Sequence, residues 1–184
     1  MRIAVYGGSF NPPHVGHALV ASWVRWTDLA DEVWLLPAFA HPFAKDMAPF
    51  ADRAAMCDVV AGVLGAGVGV SRVEADLQPP SYTIRTLEHL RVAHPEHTFQ
   101  LVVGADVVPE TPKWRDWDRI AAEFAPIVVG RAGWPDVAGA PSFPGISSTE
   151  IRRRAAAGEP FGHLVPATIA GDVARLYGPP PAVR

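Results

Sequence analysis

The chain has 184 residues, 49% apolar and 19% charged, which is enough for one folded domain with a real core and too apolar for a disordered chain. Its net charge of −3 argues against a general nucleic-acid or membrane-surface binder, since both need a basic face, but leaves room for a small anion held by a local cluster. The single cysteine, Cys57, excludes an intrachain disulfide and fits a reducing cytoplasm, and neither a secretory signal nor a bilayer-spanning apolar stretch is visible.

In chain order, short β-branched runs predict strands at Arg2–Tyr6, Glu32–Leu36, Val68–Val73, Thr98–Val103 and Pro126–Gly130. Helical patterns lie between and after them, at Val15–Leu29, Phe50–Leu64, Thr83–Ala93, Trp114–Phe124, Ser148–Ala157 and Pro166–Leu176. Cys57 falls inside the second helix, where it reads as a small apolar residue. Residues 179–184, with three consecutive prolines, read as an unstructured tail. No repeat or linker divides the chain. Alternating strands and helices predict a single α/β domain over residues 1–184: a Rossmann-like, doubly wound parallel sheet of five to six strands. Such sheets bind ligands beyond the carboxyl ends of their strands, where the strand order reverses.

The segment Gly7-Gly8-Ser9-Phe10-Asn11-Pro12-Pro13-His14-Val15-Gly16-His17 lies in that place, between the first strand and the first helix. Gly7 and Gly8 permit a sharp turn and a close anion. His14 and His17 share a helix face, Gly16 keeps the approach open, and a helix start favours phosphate. Read alone, the segment could equally be a tight turn with two surface histidines. Paired histidines can also ligate zinc, but the i, i+4 spacing with an intervening glutamate is missing and no cysteine is near. Further along, Ser81 before the third helix reads as a cap. Gly104-Ala105-Asp106 closes a strand, so Asp106 stands at the sheet's carboxyl edge, where a carboxylate can accept ribose hydroxyls. Trp117 faces the same side as Trp114 and can serve the core. Ser147-Ser148-Thr149-Glu150 reads as a capping box, Ser147 with Glu150. The arginines that follow, Arg152, Arg153 and Arg154, cannot share one helix face.

The first segment resembles the His-x-Gly-His signature of the nucleotidylyltransferase superfamily, and its longer form is similar to that of the bacterial nicotinate-nucleotide adenylyltransferases. Ile146-Ser147-Ser148-Thr149-Glu150-Ile151-Arg152 resembles the second signature, Pro80-Ser81-Tyr82-Thr83 a segment against the mononucleotide, and Pro112-Lys113-Trp114 a segment whose tryptophan stacks on the pyridine ring. The Leu164-Val165-Pro166 run resembles the family's terminal motif. The resemblance implies transfer of the adenylyl group of ATP to nicotinate mononucleotide, with Mg²⁺ arriving on ATP and no metal ligated by protein side chains. It places ATP against Gly7, Gly8, Ser9, Phe10, His14, His17, Gly104, Asp106, Ser147, Ser148, Thr149 and Arg152. The mononucleotide falls to Lys45, Tyr82, Thr83 and Trp114. His17 would steady the transition-state oxygens, His14 would orient ATP phosphates and Arg152 would neutralise the departing pyrophosphate. The chain departs from the family pattern after the second strand, where three residues separate His41 from Lys45 and Arg53 follows as a phosphate contact or an ion-pair partner. Rival readings are another nucleotidylyltransferase (nicotinamide mononucleotide or phosphopantetheine as acceptor, or a cytidylyltransferase), a non-catalytic nucleotide-binding domain and a metal-dependent hydrolase.

Overall fold

The structure, a computed structural model, describes residues 1–40 and 46–180. Six strands form one parallel sheet: β1 (Arg2–Gly8), β2 (Glu32–Pro37), β3 (Val68–Val70), β4 (Thr98–Gly104), β5 (Ile127–Arg131) and β6 (Ser142–Phe143). Their order is β3-β2-β1-β4-β5-β6, so the direction of winding reverses between β1 and β4. The register there pairs Ile3 with Phe99 and Val5 with Leu101. The helices are α1 (Val15–Trp26), α2 (Phe50–Leu64), α3 (Thr83–Ala93), α4 (Trp117–Glu123), α5 (Ser148–Ala156) and α6 (Ala170–Tyr177).

Strand alternation divides the core. Ile3, Val5 and Leu101 face Ile84, Leu87 and Leu90 of α3 and Ile120 of α4. Ala4, Leu35, Val102 and Val129 face Val20, Ala21 and Val24 of α1 and Cys57 of α2. Burial pushes the Cys57 thiol up to about 12, which keeps it an inert apolar side chain. A third cluster joins Met56 and Val60 to Ile151 of α5 and Val173 of α6, and so brings the C-terminal motif to the N-terminal one.

Helices α2 and α3 run as the sequence predicts. Four other expectations change. The Pro166–Leu176 helix begins as a 3₁₀ turn, Ala167–Ile169, and becomes α-helical only over Ala170–Tyr177. Helix α1 stops at Trp26 instead of Leu29, because the Thr27 hydroxyl donates to the Trp23 carbonyl and Asp28 turns left-handed (φ 56°). The Trp114–Phe124 helix begins only at Trp117: Asp116 is left-handed, and the stretch before it is a 3₁₀ helix, Val108–Lys113, that contains two prolines. The third strand ends at Val70, and Val73–Ala75 turns as 3₁₀ helix. Strand β6 is two residues between prolines and carries too little pattern to be read in advance.

Candidate active site

A cavity of about 530 Å³ opens beyond the carboxyl ends of the strands, at the reversal between β1 and β4. The first motif contributes Gly7, Gly8, Ser9, His14 and His17 to its wall. Gly104 and Asp106 come from the end of β4, and Thr83 and Trp114 from the α3 side. A Cβ on Gly16 would lie 3.0 Å from His14 Nδ1, and one on Gly104 would displace the Asp106 carboxylate, so a side chain at either would shift a group of the site.

The two histidines cap each other. His14 Nδ1 accepts from the His17 backbone N–H (3.4 Å), His17 Nδ1 accepts from that of His14 (3.1 Å), and the rings stack at 3.6 Å. A nitrogen that accepts must carry a lone pair, so each neutral ring holds its proton on Nε2. Burial first, and then the Arg131 guanidinium, lower the His14 imidazole to about 4. Burial, His14 and Arg131 in that order hold His17 well below the usual range. Near pH 7 the pair therefore presents two neutral N–H donors. This differs from a bare helix-start anion site, because the Val15 amide is already taken by the Leu164 carbonyl (3.0 Å).

Phe10, expected against ATP, lies beneath the site. It is buried, left-handed (φ 44°) and edge-on to His17 at 4.8 Å, so it props the imidazole. Tyr82 likewise stays off the cavity wall, under the guanidinium of Arg115 at 5.1 Å. Trp114 meets Trp117 edge-on at 5.8 Å, and both lean on the α3-side core. Ser81 does not cap α3; its hydroxyl accepts from the Ala40 amide.

The second motif grips the first. Ser148 Oγ donates to the Pro12 carbonyl at 2.8 Å, and Arg152 Nη1 donates to the Asn11 carbonyl at 2.7 Å. Ser147 caps α5 by accepting from the Glu150 amide, while Glu150 turns to Arg153 and Arg154 and leaves the expected box half made. Thr149 is exposed, with Oγ1 beside Arg152 at 3.5 Å. Ser147, Ser148, Thr149 and Arg152 stand outside the main cavity wall. Arg152 lines a second hollow of about 270 Å³ with Asn11 and Tyr177. His41 and Lys45 lie outside the described residues.

Four residues not singled out as site residues organise this region. Arg131, at the end of β5, binds Asp106 at 2.7 Å and the Ile146 carbonyl at 2.9 Å. The carboxyl-edge rule that marks Asp106 could have marked it. Asn11 holds the first loop to Tyr177 (2.6 Å) and to the Ala48 amide (3.1 Å). Glu74, buried by the cavity, accepts from the Phe39 amide and the Thr86 hydroxyl. Arg53 pairs with no acidic residue among the described residues: its buried guanidinium donates to the carbonyls of Ser9, Ala38 and Ala48.

A parallel sheet with paired histidines at its crossover point and a second motif locked onto their loop defines a nucleotide-handling α/β protein of the nucleotidyltransferase class. Residues 5–154 match the family described as Cytidylyltransferase-like. A protein of Anaeromyxobacter sp. named "Probable nicotinate-nucleotide adenylyltransferase" is 55% identical over 168 residues, covering 90% of this chain and 89% of its own. One of the same name from Myxococcus xanthus is 40% identical over 169 residues, covering 91% and 88%. In structure the chain is similar to the Plasmodium falciparum nicotinic acid mononucleotide adenylyltransferase complexed with NaAD, with a TM-score of 0.81 at 20% identity over 96% of this chain and 95% of that one. The chain belongs to the cytidylyltransferase-like family and, within it, to the nicotinate-nucleotide adenylyltransferases.

Proposed function

We propose that this chain joins nicotinate mononucleotide to the adenylyl group of ATP, giving deamido-NAD and pyrophosphate. The mutually capped pair His14 and His17 supports this most strongly, because it leaves two neutral Nε2–H donors in the wall of the crossover cavity, suited to phosphate oxygens. A 5′-phosphate oxygen of the mononucleotide attacks the α-phosphorus of ATP. The new P–O bond forms as the bond to the bridging oxygen breaks, and pyrophosphate leaves with that electron pair. The substrate brings the nucleophile, so the chain needs only to position and to stabilise charge.

His17, propped by Phe10, steadies the oxygens of the reacting phosphorus, and His14 orients the phosphate chain. Arg152 is held on the Asn11 carbonyl beside the neighbouring hollow, and to neutralise the leaving pyrophosphate its guanidinium would turn from there to the main cavity. Asp106 is oriented by Arg131 toward ribose hydroxyls. Trp114 offers a flat face to the pyridine ring. The cavity wall carries the carboxylates of Asp106 and Glu110, hard oxygen donors suited to a hydrated Mg²⁺ that arrives on ATP. Asp106 would hold that hydration shell, and the ion would supply neutralisation of phosphate charge.

The test is pyrophosphate release with ATP and each acceptor in turn. Release with nicotinate mononucleotide, exceeding that with nicotinamide mononucleotide, is the expected result. Release with phosphopantetheine, or with CTP as donor, in place of it would overturn the reading.

A further inference from the structure

The turn between α3 and β4 lies at the amino-terminal edge of the sheet, the end opposite the cavity, and carries His94, Glu96 and His97. One ligand atom from each falls within 4.8 Å of the other two. His94 Nδ1 is 3.7 Å, and His97 Nε2 3.3 Å, from the same Glu96 oxygen. Two donors held tetrahedrally at about 2.1 Å from one ion stand about 3.4 Å apart, so the two spacings to Glu96 are close to the edges of a coordination tetrahedron, and the third, between the imidazoles, lies within 4.8 Å and closes by side-chain rotation on binding.

The scaffold beneath is stiff. The two imidazoles lie nearly parallel (11°) at 5.9 Å. Trp34 meets them edge-on at 5.3 and 6.1 Å, and Phe99 supports both at 6.4 and 6.3 Å. Glu96 is exposed, and among the described residues no arginine or lysine pairs with it. Its carboxylate faces the imidazole nitrogens, while the N-terminal amine of Met1 reaches its backbone carbonyl at 3.4 Å. Two imidazole nitrogens and one carboxylate oxygen form a donor set for a borderline divalent cation rather than for Mg²⁺ or Ca²⁺.

We propose that this turn is a metal site, with His94 Nδ1, His97 Nε2 and a Glu96 carboxylate oxygen as three ligands and water as the fourth, suited to Zn²⁺. Binding there ties the start of β4 to the chain's first residue, whose carbonyl already accepts from Thr98. The site is remote from the cavity and independent of the adenylyl-transfer reading.

The experiment uses the full, untagged chain stripped with chelator and titrated calorimetrically with Zn²⁺ at pH 7.5. One equivalent is expected to bind with micromolar or tighter affinity and to raise the melting temperature. His94→Asn, at a half-buried position, and Glu96→Gln, at an exposed one, should each weaken binding at least tenfold and abolish the thermal shift. Both variants should melt like the metal-free parent and keep its adenylyl-transfer rate. Binding well below one equivalent, or equal affinity in parent and variants, overturns the proposal; the latter result would place the ion on other histidines, such as His14 and His17.

Discussion

His14 and His17 act as neutral donors because each lends its Nδ1 to the other's backbone and both are buried beside Arg131. His17→Ala should lower kcat by roughly 10²–10³, the size expected for one lost charge-stabilising donor, with little change in the KM for ATP. A near-parental kcat would remove His17 from the reacting centre. The same burial makes stability depend on pH. His14 titrates at about 4 when folded and near 6.5 in an unfolded chain, so between these values the unfolded state holds more protons. Stability is fully present above about pH 6.5 and falls as pH drops toward about 4. Urea midpoints measured at pH 7.5, 6 and 5 should show this decline, and His14→Gln should flatten it; identical slopes would contradict the assignment. For Trp114→Ala the expected outcome is a raised KM for nicotinate mononucleotide and an unchanged one for ATP, read from initial rates. At this scale the histidines were legible because the motif is contiguous. Asn11's role was not, because its partner Tyr177 is distant in sequence, whereas Arg131, at the carboxyl end of β5, was open to the rule that marks Asp106.

Between elements, the connecting feature is a buried arginine. Arg53 enters from α2 and satisfies the carbonyls of Ser9 at 2.7 Å, Ala38 at 2.8 Å and Ala48 at 2.9 Å. It fixes the loops after β1 and β2 against the start of α2. Lysine has the charge but not the planar fork, so Arg53→Lys leaves at least one carbonyl unsatisfied. A loss of about 1–3 kcal/mol is expected from chemical denaturation, together with raised KM values for both substrates. An unchanged denaturation midpoint would show that the loops hold without it. The bounds of α2 and α3 were legible because Gly65 follows one and His94-Pro95 the other. The start of α4 was not, since apolar periodicity runs back through Trp114 and only the left-handed Asp116 breaks it. Arg53 had two readings in the sequence, and its actual role needed three carbonyls from two loops.

For the whole molecule, alternation of strands and helices predicted the parallel sheet, and the order β3-β2-β1-β4-β5-β6 supplied what alternation alone does not fix: which strands flank the reversal. That order sets the end of β4 beside the loop after β1. The third core cluster then returns α5, so Ser148 and Arg152 clasp Pro12 and Asn11 across 136 and 141 residues of sequence. The two motifs are parts of one framework, in which the second also holds the first in shape. The central claim is a single direct displacement at the α-phosphorus, in which the mononucleotide phosphate is the nucleophile and the chain forms no covalent intermediate. It is tested most directly by running the reaction with nicotinate mononucleotide and ATP made chiral at the α-phosphorus by sulfur and an oxygen isotope. Direct displacement gives deamido-NAD with inverted configuration at that phosphorus. Retention, which requires two displacements and an adenylylated side chain, would contradict it.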